Sequence, residues 1–170
     1  MREGIRLGVD VGTVRVGVAV SDPGGIMATP VETLARASAS GKDVQRVAEL
    51  ADDARALEVV VGLPLNMKGE DTASTQAARA WANTLKRLRP ALRVILVDER
   101  LTSVSAHQSL HASGVAGRQH RQHVDQQAAV LILQAALETE RGTGRPPGLE
   151  VGGRKPRARR RTSEGDTHDA

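Results

Sequence analysis

The chain has no cysteine, no phenylalanine and no tyrosine, and a single tryptophan stands among its 170 residues. Without cysteine there is neither a disulfide framework nor a thiolate-ligated zinc site, and the composition suits a reducing compartment. Without aromatic rings the core must be packed from Val, Leu, Ile and Ala. The same lack disfavours single-strand readers of the RRM or OB type, which stack bases on aromatic faces. No apolar run approaches the roughly 20 residues that span a bilayer, and no charged segment followed by an apolar one opens the chain. The expectation is a cytoplasmic protein with no membrane partner.

What is present divides unevenly. Residues 1–140 carry 16 of the 24 Lys and Arg and 16 of the 20 Asp and Glu, so the net charge of +4 lies in the last 30 residues, with 8 basic against 4 acidic groups. The length suits one domain with a core of its own. We therefore expect a domain over 1–140 and a basic, disordered tail over 141–170, rich in Gly, Pro and Arg and poor in the apolar residues that offset ordering entropy. The tail reads either as a polyanion-binding arm or as a solubilising extension, and its removal after Arg141 should leave melting unchanged.

Along the body, Ile5 to Val11 and Val14 to Ser21 read as a hairpin about Gly12-Thr13, and Ile26 to Leu34 as a third strand. Helical periodicity follows over 41–57, then a continuous apolar run at Val59-Val60-Val61, a loop at Gly62 to Asn66, a helix over 72–88 stopped by Pro90, and a strand over 94–97. Helices over 103–113 and 123–138 close the body. Three strands followed by alternating helix and strand predict an α/β fold, a mixed sheet with helices on both faces.

Three acidic positions interrupt apolar stretches. Asp10 lies in the first strand, Asp98-Glu99 ends the last, and Asp125 shares a helical stripe with Ala129, Ile132 and Ala136. Each has an ordinary reading: an Asx turn for Asp10, an ion pair with Arg100 for Asp98-Glu99, and helix-dipole stabilisation for Asp125. Together they read as oxygen donors for Mg²⁺ or Mn²⁺, because converging carboxylates repel unless they share a hard cation. Such sites hydrolyse phosphodiesters. Pleating lets only one of Asp98 and Glu99 face the same way as Asp10, and periodicity does not choose between them.

The segments GVDVGTVRVGVAVSD (8–22), VVGLPLNMKG (60–69), DERLT (98–102) and VDQQAAVLILQ (124–134) resemble the YqgF/RuvX family, the RuvC-like Holliday-junction resolvases or pre-16S rRNA nucleases. The resemblance covers about residues 5–138. It implies a ribonuclease H-like fold with a five-stranded mixed sheet, its first three strands antiparallel, and a metal-dependent nuclease site of Asp10, Glu99 and Asp125. Asp98 and Thr13 would support that site. Arg15, Asn66, Arg100, Arg118 and Arg121 are the candidate nucleic-acid contacts, Arg118 and Arg121 standing in a stretch where such proteins carry more Lys and Arg and this chain has His120 and His123. The implied partners are structured RNA, namely pre-16S rRNA, or branched DNA, with the ribosome as a further one, and the chain would act as monomer or homodimer. Two rivals stand beside this reading. Asp10-Val11-Gly12-Thr13 also resembles the first phosphate loop of actin-like and sugar-kinase-like ATPases, although one domain cannot clamp nucleotide as their two do. The second rival is a non-catalytic scaffold that binds rRNA or the ribosome. His107 and His111 stand i, i+4, but without an HExxH pattern they read as a polar helix face.

Overall fold

The computed structural model describes residues 1–102 and 118–152, with side chains over 1–102 and 126–152. The elements are β1 (Arg6–Val11), β2 (Arg15–Ser21), β3 (Ala28–Ala35), α1 (Lys42–Asp53), β4 (Glu58–Leu63), α2 (Ala73–Leu88), β5 (Arg93–Asp98), a 3-10 turn (Glu99–Leu101), α3 (Arg118–Thr143) and β6 (Leu149–Glu150). The expected helix over 103–113, with His107 and His111, lies outside the described residues. Among those described, no helix is long and apolar enough to cross a membrane.

The sheet runs β3-β2-β1-β4-β5-β6. β1, β2 and β3 are antiparallel neighbours, whereas β4 pairs in parallel with both β1 and β5, as the crossovers through α1 and α2 require. Strand alternation then sorts two cores. Leu7, Val9, Val16, Val18, Val59, Val61, Val94 and Leu96 face the layer of Val44, Val47, Trp81 and Leu85 from α1 and α2. Ala19, Val60, Ile95 and Val97 face Ala128, Ala129, Ile132, Leu133 and Ala136 of α3. Because both faces are covered, β4 is continuously apolar from Val59 to Val61. Trp81, the one aromatic residue, is buried and donates from Nε1 to Asp43 at 3.1 Å. A reciprocal capping box between Thr72 and Thr75 starts α2.

α3 lies so close to β1 that only glycine fits between them. A Cβ on Gly8 would stand 2.6 Å from the Cβ of Leu133 and 2.9 Å from the carbonyl oxygen of Ala129.

Two expectations need correction. The sheet has six strands rather than five, and the boundary expected between residues 140 and 141 falls inside α3. Beyond α3, Gly144 (φ +70°) and Gly148 (φ +81°) turn the chain back, Gly148 packs against the Leu96 carbonyl, and Leu149 and Glu150 pair antiparallel with β5. The Val151 amide donates to the Val94 carbonyl at 2.8 Å and its side chain is buried in the α1/α2 core. A two-residue strand has no periodicity to betray it, and the Gly and Pro that suggested disorder are the residues that make the return turn.

The edge where β1, β4 and β5 begin is tied by charge. Arg6 and Glu58 are fully buried there, and Arg2 bonds both Glu58 and Glu140, Arg6 bonds Glu140, and Arg93 bridges Glu58 to Glu150.

Candidate active site

The opposite edge, where β1, β4 and β5 end, carries the candidate acids, as expected for ligand sites at the carboxyl ends of parallel strands. Asp10 is the fifth residue of β1, on the same side as Gly8 and therefore on the α3 face. Glu99 follows β5 by one residue, in step with Ile95 and Val97 of the α3-facing core. Both acids are buried, 5 % and 6 % exposed, and their side chains share a hydrogen bond. Burial pushes the Glu99 carboxyl up to about 7; the Asp10 hydrogen bond opposes this and the nearby charge of Asp98 adds to it.

Gly62, at the end of β4, makes room for this pair. A Cβ there would lie 2.6 Å from Glu99 Oε1 and 2.5 Å from Ile132 Cδ1. The loop expected from Gly62 starts later, because Gly62 and Leu63 still belong to β4. The Gly12 amide, the donor that an Asx turn at Asp10 would use, donates to the Arg15 carbonyl at 2.8 Å and closes the hairpin turn.

Asp98 points the other way and builds the turn that carries Glu99. Its Oδ1 accepts from the Arg100 amide at 2.9 Å, capping the 3-10 turn, and its carboxylate takes the Arg100 guanidinium through Nε and Nη2, the latter at 2.7 Å. These bonds hold Asp98 below the usual carboxylate range. Arg100 also reaches the loop after β4, where a Cβ on Gly69 would meet its Nη1 at 2.9 Å. Asn66 organises that loop. Its Oδ1 accepts from the Lys68 and Glu70 amides at 3.0 and 2.8 Å and its Nδ2 donates to Glu70 at 3.2 Å, so the carboxamide is committed to the loop itself. Thr13 is exposed at the hairpin turn, and Arg15 is half-buried opposite Ala35.

Among the described residues no three His, Asp or Glu gather into a metal-holding group. Asp10 and Glu99 form a pair, while Asp125, Arg118 and Arg121 lie in the first turns of α3, where the backbone alone is described. Asp125 stands one helical turn before Ala129, whose carbonyl touches Gly8, two residues before Asp10 on the same face of β1. The pair suits a hard divalent cation: its donors are all carboxylate oxygens, buried together beside a backbone without a side chain, and a cation would remove the cost of ionising both.

The model of the RuvX family, described as Holliday junction resolvase, matches residues 4–139. The chain belongs to this family. A Clavibacter sepedonicus protein named "Putative pre-16S rRNA nuclease" is 53% identical over 153 residues, 89% of this chain and 93% of its own length. One of the same name from Leifsonia xyli is 52% identical over 151 residues, 89% and 96% of the two chains. T. thermophilus RuvC, solved in complex with Holliday junction substrate, shares the fold with a TM-score of 0.52 at 16% identity, covering 85% of this chain and 99% of that one. This RuvX-family chain is thus a nuclease by class, a hydrolase of ester bonds.

Proposed function

We propose that this RuvX-family protein is a Mg²⁺- or Mn²⁺-dependent nuclease of the cytoplasm that cleaves structured RNA, in the maturation of the 5′ end of pre-16S rRNA. The observation that carries the reading is the buried, hydrogen-bonded pair of Asp10 and Glu99 at the ends of β1 and β5. Asp10, Glu99 and Asp125 are the residues that would hold the metal. When bound, such an ion activates water and stabilises the leaving oxygen of a phosphodiester. The chain supplies the rest. Burial favours the protonated form of Glu99 while no cation is present, and Glu99 would give up that proton to become a ligand. Gly62 keeps the Glu99 carboxyl seated over β4, and Asp98, held by Arg100, fixes the turn on which Glu99 stands. The relatives' name favours RNA; the family description and the RuvC fold favour branched DNA as the second reading.

The test is a Mn²⁺ titration with pre-16S RNA and a four-way DNA junction cleaved side by side by the full chain and by Asp10→Asn. Metal-dependent cleavage of the RNA, lost in Asp10→Asn, is expected. Preferential cleavage of the junction would favour the second reading, and cleavage of neither would leave an rRNA-binding scaffold.

A further inference from the structure

The loop over 65–71 is held far more tightly than a connection between β4 and α2 requires. Leu65 and Asp71 close it as an antiparallel bridge, the Asn66 amide donates to the Glu70 carbonyl at 3.1 Å, and the Gly69 amide donates to the Asn66 carbonyl at 2.9 Å. With the Asn66 side chain inside, the ordered tip presents Met67, 98 % exposed, and Lys68, exposed and without an ion pair among the described residues. Beside it stands Arg100. Asp98 consumes its Nε and Nη2, Gly69 lets the guanidinium lie against the loop backbone, and Nη1 donates no hydrogen bond among the described residues. The residue after it, Leu101, is 78 % exposed.

A rigid tip and a rigid turn thus meet at Gly69, each offering one cation and one large apolar side chain to solvent, on the edge where β4 and β5 end. A lone exposed Met or Leu is ordinary. Two of them, each adjoining a cation on segments that touch, match the alternation of a nucleic-acid strand, where anionic phosphates are spaced by flat apolar bases. In a chain without Phe or Tyr the covering of a base falls to aliphatic and thioether groups.

We propose that residues 66–69 and Arg100-Leu101 form a docking rim for an unpaired nucleotide beside the cleaved bond, with Lys68 and Arg100 Nη1 taking its flanking phosphates and Met67 and Leu101 covering its base. The proposal rests on the nuclease reading for the location of the bond, but its test does not require cleavage. The full chain carrying Asp10→Asn is titrated with an RNA hairpin bearing a single-stranded flank and with a blunt duplex, at several salt concentrations. Adding Lys68→Ala should weaken both RNAs about 3- to 10-fold and reduce the salt slope by about one. Adding Met67→Ala with Leu101→Ala should weaken the flanked RNA by about 3- to 10-fold while sparing the duplex and the slope. All these side chains are exposed, so melting should be unchanged. An unaltered slope for Lys68→Ala overturns the proposal, as does an apolar double variant that binds both RNAs normally or loses both equally. If the chain with Asp10 intact cleaves neither RNA nor DNA with Mn²⁺ yet both losses appear in the Asp10→Asn background, the rim stands and the nuclease reading falls.

Discussion

Asp10 and Glu99 are two carboxyls in one buried place, and their behaviour follows from that. Glu99 titrates near 4.5 in an unfolded chain and at about 7 in the fold. Between those values the folded protein keeps a proton that the unfolded chain gives up, so the contribution of Glu99 to metal-free stability is greatest below about 4.5 and falls as pH rises to 7, by on the order of 3 kcal/mol. Chemical denaturation in a chelator at pH 5 and pH 8 reads this fall; Glu99→Gln should flatten it, and Mn²⁺ should restore stability at pH 8. The division of labour within Asp98-Glu99 gives a second expectation. Glu99→Gln should abolish cleavage at saturating Mn²⁺, whereas Asp98→Asn should retain part of it, because its loss loosens a turn and removes no ligand. A greater loss in Asp98→Asn, with both proteins folded, would reverse the roles. Strand alternation in the sequence already put these neighbours on opposite faces. It could not say which face was Asp10's, since Val94 and Leu96 on one side and Ile95 and Val97 on the other are equally apolar; only the packing of α3 separates them.

At the scale of elements, long periodic stretches were readable and short or glycine-made features were not. The strand and helix order through β5 follows from alternation and apolar stripes, since those patterns are the burial itself. The seat of Glu99 escaped because a glycine chosen for close approach leaves no pattern, and β6 escaped because it borrows its partners from β5. Gly62 offers the test. Gly62→Ala places a methyl against Glu99 Oε1 and Ile132 Cδ1, so it should cost about 1–3 kcal/mol of stability as overpacking. It should also lower kcat at saturating Mn²⁺ by at least tenfold and raise the Mn²⁺ concentration required. Gly8→Ala meets Leu133 and the Ala129 carbonyl of α3 without touching Glu99, so it should cost similar stability and leave the pH dependence that Glu99 gives to metal-free stability, which Gly62→Ala should alter. Equal pH dependence in the two variants would remove Gly62 from the seat of Glu99.

For the whole molecule, the folded body reaches Val151, and this changes what a truncation should do. Ending the chain after Arg141 deletes β6, the buried Val151 and the Arg93–Glu150 ion pair, so it should lower the melting temperature by several degrees. Ending it after Gly152 should leave melting unchanged, and if the basic cluster from Arg154 to Arg161 acts as a polyanion arm, RNA binding should become weaker and less salt-dependent. Equal melting of the two truncated chains would show that β6 adds nothing. Strong acid should loosen the charged edge. The Arg2 hydrogen bond, opposed in part by burial, holds Glu140 down to about 2, so its contribution is present above 4.5 and is lost as pH falls toward 2.

That charged edge also decides how the molecule faces its surroundings. Arg2 and Glu150 are linked through Glu58 and Arg93, so the incoming chain and the outgoing chain meet on the side of the sheet remote from Asp10 and Glu99. A fusion partner, a surface linker or a bead attached at either place would therefore hang behind the protein. An immobilised molecule would present its acids outward, and a large folded particle could approach them without passing its own tether.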